Sequence, residues 1–192
     1  MSLGFYVDMT RCAGCGTCTY ACKDRLDLGT IGVSPRRVNR YQVGTFPAVT
    51  GFATSVSCNH CENPACVANC PTGAMFKDSD GIVLHDDSVC IGCQTCVSAC
   101  PYGAPQYVAE DNLVVKCDTC KALREAGEQP VCVEACAYRA LEFGDMDELR
   151  KKHGSDLVSE IPAIASAEAT GPNLLLKTRE PATSQQFVEV TY

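Results

Sequence analysis

Apolar residues along this chain gather in short runs separated by polar turns, which predicts brief strands rather than long amphipathic helices. Gly4-Phe5-Tyr6-Val7 and Ile82-Val83-Leu84 each read as a strand leading into a cysteine-rich loop, and Lys77-Asp78-Ser79-Asp80-Gly81 before the second is a turn, so that stretch reads as a hairpin. Arg37 to Val43 and Phe52 to Val56 predict a strand pair, lying within an insertion over 33–57. Short helices are expected after fourth cysteines, over Pro71-Thr72-Gly73-Ala74-Met75 and Ala137-Tyr138-Arg139-Ala140-Leu141. Asp145 to Lys152 places acids first and bases last ahead of Gly154, the order a helix dipole favours, followed by a stop signal. Beyond Ser155 the chain turns to Ala, Ser, Thr, Glu and Pro, and reads either as a disordered tail or as an extended arm that orders on a partner, with Leu174-Leu175-Leu176 as its anchoring strand.

Composition narrows the class. The 192 residues include 16 Cys and no Trp, too few large rings to build a core on aromatics, so something besides hydrophobic burial is expected to hold the fold. A formal charge of -7 argues against nucleic acid as a partner, since phosphate binding needs a basic surface. No apolar run reaches the roughly 18 residues of a membrane span. The first residues lack the basic and apolar regions of a secretory signal, and Arg36-Arg37 lies too deep for a twin-arginine signal, reading instead as two charges on a strand or loop.

The cysteines fall into four groups of four: Cys12, Cys15, Cys18, Cys22; Cys58, Cys61, Cys66, Cys70; Cys90, Cys93, Cys96, Cys100; and Cys117, Cys120, Cys132, Cys136. Groups one and three are copies, for Asp8-x3-Cys12-x-Gly14-Cys15-x-Thr17-Cys18-x2-Ala21-Cys22 returns as Asp86-x3-Cys90-x-Gly92-Cys93-x-Thr95-Cys96-x2-Ala99-Cys100. Groups two and four are related more distantly, through Pro64-x-Cys66-Val67-x2-Cys70 and Pro130-x-Cys132-Val133-x2-Cys136. The copied spacing is that of bacterial ferredoxins, in which three cysteines hold one 4Fe-4S cluster and the fourth reaches another. Small residues between the ligands let backbone N–H groups approach the inorganic sulfides. Structural zinc has no use for a third cysteine three residues on, and disulfides between such close neighbours would be strained. Sixteen ligands imply four 4Fe-4S clusters, bound as metal centres by all sixteen cysteines. His60, between Cys58 and Cys61, is expected to pack or tune rather than ligate. Arg11, Lys23 and Lys116, each beside a cysteine, read as solvated surface charges. No nucleophile or acid–base pair stands out once the cysteines are spent, so no catalytic residue is expected and the chain is not an enzyme by itself.

Cys58-Asn59-His60-Cys61-Glu62-Asn63-Pro64-Ala65-Cys66, Cys70-Pro71-Thr72-Gly73-Ala74, Cys100-Pro101-Tyr102-Gly103-Ala104-Pro105, Phe143-Gly144 and Glu148 to Gly154 together resemble the iron-sulfur subunits of the dimethyl sulfoxide reductase and polysulfide reductase family. Lys23 and Ala137 depart from the proline that follows the fourth cysteine in groups two and three, which bears on local geometry. The resemblance implies an electron-transfer subunit, relaying electrons between a quinol-linked membrane anchor subunit and a catalytic molybdopterin subunit in anaerobic respiration. It also implies a peripheral protein, membrane-associated through its partners, exported only with a partner and otherwise cytoplasmic. The cluster on Cys12, Cys15 and Cys18 would lie toward the molybdenum subunit, and that on Cys90, Cys93 and Cys96 toward the anchor.

Two pairings of groups can satisfy cross-ligation: first with second and third with fourth, or first with fourth and second with third. The interval from Cys70 to Cys90 is short and holds one hairpin, whereas Cys22 to Cys58 is nearly twice as long and carries its own strand pair, so the nested pairing is favoured, and the resemblance agrees. It assigns Cys12, Cys15, Cys18 and Cys136 to the first cluster and Cys117, Cys120, Cys132 and Cys22 to the second. Cys58, Cys61, Cys66 and Cys100 hold the third, and Cys90, Cys93, Cys96 and Cys70 the fourth. The expected fold is therefore α+β: two ferredoxin-like modules, one nested in the other, over 1–32 with 112–153 and over 58–111, with the strand pair of 33–57 inserted and an extended tail over 154–192.

Overall fold

In the computed structural model, which describes residues 2–191, the chain opens with strand β1 (Leu3–Asp8). The first cysteine loop leads into helix α1 (Thr17–Arg25), and a hairpin of β2 (Arg37–Val43) and β3 (Thr50–Val56) follows. The second group passes through the single turn α2 (Ala65–Ala68) into β4 (Met75–Lys77), which returns as β5 (Val83–His85). Asp78 makes that return by accepting the N–H groups of Asp80 and Ile82 on its Oδ1. The third group carries α3 (Thr95–Ala99), followed by the hairpin of β6 (Gln106–Val108) and β7 (Leu113–Val115). The fourth spans α4 (Lys121–Glu125) and α5 (Val131–Glu134), and β8 (Leu141–Asp145) then runs directly into α6 (Met146–His153). Strands β9 (Leu174–Lys177) and β10 (Val188–Glu189) complete the described elements, a mixed set of short strands and short helices.

Strand β1 is the centre of the principal sheet, antiparallel to β8 with Phe5 opposite Phe143, and parallel to β9 with Val7 opposite Leu176. Alternate side chains of a strand face opposite sides, and both sides here are covered. Phe5, Val7, Leu174 and Leu176 face a core that also contains Cys18, Cys117 and Cys132, whereas Tyr6 and Leu175 pack on Met146 and Leu149 of α6. That helix ends at Gly154 as expected, and the structure adds an N-cap, Asp145 Oδ1 accepting the N–H groups of Asp147 and Glu148. A second sheet, ordered β10-β2-β3, lies over the first cysteine loop, where Val38 and Ser55 meet Cys12, Cys15 and Cys18.

Two expectations need correction. Leu174 to Leu176 do not wait for a partner subunit. They pair with this chain's own β1, whose second edge would otherwise present unpaired backbone beside Phe5 and Val7. The polar tail around them is also tied down, because Glu62 and Asn63 donate their N–H groups to Gly171 and Thr170, and Val190 donates to Arg40. The helices expected after fourth cysteines are turns instead. Residue 73 or 139 adopts positive φ (Gly73 73°, Arg139 50°), and the chain swings back so that Met75 N–H reaches Cys70 Sγ and Ala140 N–H reaches Cys136 Sγ. Cys100 repeats the pattern with Gly103 and Ala104. The sulfur takes the hydrogen bond a helix would have used.

The two missing prolines have different outcomes. At Ala137 the same turn forms without proline. At Lys23 the helix simply continues, and α1 runs on to Arg25, which a proline at that position would oppose at roughly 3 kcal/mol. The extra turn brings Arg25 onto Asp118, between Cys117 and Cys120, in a bidentate pair at 3.1 and 2.7 Å. Cys22 is thereby carried toward the fourth group.

Candidate metal centres

The copied loops are built alike. Asp8 Oδ1 accepts the Thr10 N–H and Asp86 Oδ1 the Ser88 N–H, each bending the chain before the first cysteine of its loop. Gly14 and Gly92 sit at φ 70° and 67°, and Gly16 and Gln94, at φ 82° and 60°, set the start of α1 and α3. The hydroxyls of Thr17 and Thr95 each stand 3.4 Å from the sulfur two residues earlier, Cys15 or Cys93. Helices α1, α2, α3 and α5 then bury the third cysteine of their groups, Cys18, Cys66, Cys96 and Cys132.

Three hollows are each walled by four cysteines, three from one group and one from another. One is lined by Cys12, Cys15, Cys18 and Cys136. Another is lined by Cys58, Cys61, Cys66 and Cys100. The third is lined by Cys90, Cys93, Cys96 and Cys70. Cys22, Cys117, Cys120 and Cys132 form the remaining neighbourhood: Cys22 lies within the influence of Cys132 and Cys120, and Cys117 within that of Cys132 and Cys22. Among the described residues no three His, Cys, Asp or Glu side chains converge as they would on a single metal ion. Four sulfurs spread round a hollow suit a group of several atoms.

The electrostatics fit the same donor set. Burial pushes the thiols of Cys22 and Cys61 up to about 11 and that of Cys66 to about 12, with the neighbouring thiolates adding to the effect. Cys117, fully enclosed, moves further in the same direction for the same reason, against the opposing charge of Arg36. Such thiols favour the protonated form unless a cation is present, as metal ligands do. At the two exposed sulfurs the balance reverses: hydrogen bonds from Thr17 and Thr95 hold Cys15 and Cys93 below the ordinary thiol value.

His60 is fully buried at φ 45°, and its Nδ1 accepts the Val83 N–H at 3.2 Å. Burial, reinforced by Lys116 and Arg124, drives its pKa well below the usual imidazole range, so the ring is neutral. Lys116 departs from the surface position expected of it, and Arg36, read from the sequence as a charge on a strand or loop, is buried as well. Lys116 is 6% exposed, and its Nζ donates to the carbonyls of Val83 and Cys117. Arg36 is 1% exposed and donates to Ser55 and Ser57. The signal available was Arg36 beside Pro35 and ahead of an alternating strand, which does not distinguish an inward from an outward guanidinium. Arg11 is exposed, as expected.

Comparison with known proteins agrees with this chemistry. A family model described as a 4Fe-4S dicluster domain matches residues 49–146, and one described as a 4Fe-4S binding domain matches residues 9–25. The protein is 49% identical over 182 residues to the B subunit of the anaerobic dimethyl sulfoxide reductase of Escherichia coli K12, covering 91% of this sequence and 87% of that one. YnfG of the same organism, a probable anaerobic dimethyl sulfoxide reductase subunit, is 48% identical over the same shares. The thiosulfate reductase electron transfer subunit PhsB of Salmonella typhi is 42% identical over 73% of this sequence and 74% of its own. With its cysteine loops, its 4Fe-4S domains and this extent of identity, the chain belongs to the family of iron-sulfur electron-transfer subunits represented by the B subunits of anaerobic dimethyl sulfoxide reductases, oxidoreductase components that are not catalytic on their own.

Proposed function

We propose that the chain holds four 4Fe-4S clusters in the nested arrangement and passes electrons between a quinol-linked membrane anchor and a catalytic molybdopterin subunit of a dimethyl sulfoxide reductase-like complex. The clusters, when bound, supply one-electron redox chemistry. The observation that carries the reading is the make-up of the hollows, each with three sulfurs from one group and a fourth from the group the nested pairing assigns to it. Strand pairing supports the same two modules: β1 enters group one and β8 leaves group four as partners, and β4 leaves group two and β5 enters group three as partners.

The sulfur neighbourhoods also supply an order. Cys18 of the first set acts on Cys132 of the second, and Cys117 of the second feels Cys58 of the third. The third and fourth sets share an apolar wall in which Cys66 and Cys96 pack with Met75, Val83 and Val114. Cys15 and Cys93 are the exposed sulfurs at the two ends of this order, and by the family likeness the first faces the molybdopterin subunit and the second the anchor. Between the ends the protein excludes water and aims N–H groups at sulfur, as Thr119 N–H does at Cys117 Sγ at 3.4 Å. Among the described residues no helix is long and apolar enough to cross a membrane, which suits a peripheral subunit reaching the membrane through its anchor.

Anaerobic purification followed by iron and sulfide analysis tests the reading. About sixteen of each per chain is expected from four cubanes, with four components in a redox titration followed by electron paramagnetic resonance. Roughly one tightly bound zinc per four cysteines, or half the iron, would refute it. Co-purification with a molybdopterin-containing subunit tests the partner.

A further inference from the structure

Among the described residues Arg36 is the largest side chain to be fully buried, and no acid there pairs with it. Its Nη1 and Nη2 donate to Ser55 Oγ and Ser57 Oγ, both at 2.9 Å, its guanidinium lies 4.2 Å over the Phe5 ring, and its Nε has no partner. None of the ion pairs among the described residues includes it. A guanidinium cannot shed its charge in a protein interior, and an uncompensated buried charge is costly where a neutral side chain could fill the space. The compensating charge must therefore come from the sulfurs around it. Those acting on it most strongly are Cys132, Cys117 and Cys22 of the second set and Cys18 of the first. Ser55 extends its reach: the hydroxyl accepts from Nη1 and stands 3.4 Å from Cys18 Sγ, leaving its own proton to point at that sulfur.

Resting on the four-cluster reading above, we propose that Arg36 is a positioning residue for electrons, a fixed positive charge between the first and second clusters that raises the reduction potentials of both. Each reduction adds one negative charge, and a cation held nearby in a medium of low dielectric favours the reduced form. Because the same guanidinium acts on both sets, it biases both steps of that pair together, and the fourth set, with which it makes no contact, serves as the internal control.

The test is a redox titration of the anaerobically purified full chain followed by electron paramagnetic resonance, comparing wild type with Arg36→Met, Arg36→Gln and Arg36→Lys at matched iron content. Both neutral variants should lower two of the four midpoint potentials, each by at least tenfold in the electron-binding equilibrium, equivalent to 59 mV for a one-electron couple. The potential of the fourth cluster should stay in place. Arg36→Lys, which keeps the charge but loses the fork onto the serines, should shift the same two by less. Unchanged potentials, or an equal shift of all four, would overturn the proposal. If Arg36→Met and Arg36→Gln both lose iron, Ser57→Asp decides, because a carboxylate on Nη2 neutralises the guanidinium where it stands: the first two potentials should fall, and their standing at wild-type values would overturn the proposal. Failure of the four-cluster reading would show separately, as a deficit of iron in the wild-type chain before any substitution is made.

Discussion

The loops Cys12–Cys22 and Cys90–Cys100 share an Asp-anchored turn, a positive-φ glycine, a threonine on the second sulfur and a helix on the third, yet their settings diverge. The first loop is roofed by β2 and β3, backed by buried Arg36, and followed by a helix that runs on to Arg25. The third ends its helix at Ala99, turns at Pro101, and leaves Val89, Ile91 and the Cys93 sulfur exposed. What was copied is the part that grips a cluster, which depends on neighbours within a dozen residues. What differs is the dielectric and charge around it, supplied by an insertion and by strands distant in the chain.

The sharpest way to break this comparison is to move a fourth cysteine. Cys22 lies within the first loop but faces the sulfurs of the fourth group, so Cys22→Ser should abolish or convert the cluster shared with Cys117, Cys120 and Cys132 while the first loop's cluster keeps its ligands. Iron should fall by up to about a quarter, given one cluster in four, and magnetic spectroscopy identifies which signal changes. A change in the second group's cluster instead would restore the sequential pairing.

Leu176→Ala should come next in size. The side chain is fully buried against β1, directly beneath the first loop, and its truncation should cost about 2–5 kcal/mol. On gentle heating the variant should release iron from the first loop's cluster before the fourth, which a melt monitored by visible absorption and resonance can follow. Simultaneous loss from both would mean that the two settings are one cooperative unit.

Smaller again are the paired glycines. Alanine at either needs left-handed backbone at about 1–2 kcal/mol, but a Cβ on Gly92 would also stand 2.8 Å from the Asn112 carbonyl oxygen, whereas on Gly14 the nearest atom is the Ala53 methyl at 3.0 Å. Gly92→Ala should therefore destabilise more than Gly14→Ala in thermal melts, and the reverse order would show that the roof over the first loop is the less yielding wall.

The smallest effect is one of pH. Burial raises the Asp8 carboxyl, but the Thr10 hydroxyl and N–H, with Lys177, outweigh it and hold the pKa below 3.8. A depressed carboxylate contributes its stabilisation above the unfolded value and loses it as pH falls through the folded one. Thr10→Val should thus lower stability near neutrality by roughly 1 kcal/mol, with the difference from wild type closing below about pH 4 as both lose it.

Features set by near neighbours were legible in the sequence: the cysteine loops, the Asp78 turn, the β2–β3 pair and α6 with its Gly154 stop. Long-range features were not. Leu174–Leu176 announced a buried strand, but nothing in an apolar run names its partner, and that partner proved to lie some 170 residues earlier in the same chain. Lys116 read as an ordinary surface cation and Arg36 as a charge on a strand or loop, because the residues that enclose them, Val83 for the first and Phe5, Ser55 and Ser57 for the second, are distant in sequence. The turns after Cys70 and Cys136 escaped notice since a sulfur acceptor competes with helix formation, and propensities of the following residues do not register it.

The position of β1 between β8 and β9 bears on how the molecule is made. During synthesis β1 emerges well before its partners: its antiparallel neighbour arrives only with Leu141–Asp145 and its parallel one only with Leu174–Lys177. The hollow lined by Cys58, Cys61, Cys66 and Cys100 is complete within about forty consecutive residues and can close while translation continues. The hollow lined by Cys12, Cys15, Cys18 and Cys136 gathers its sulfurs from both sides of that stretch and can close only after it.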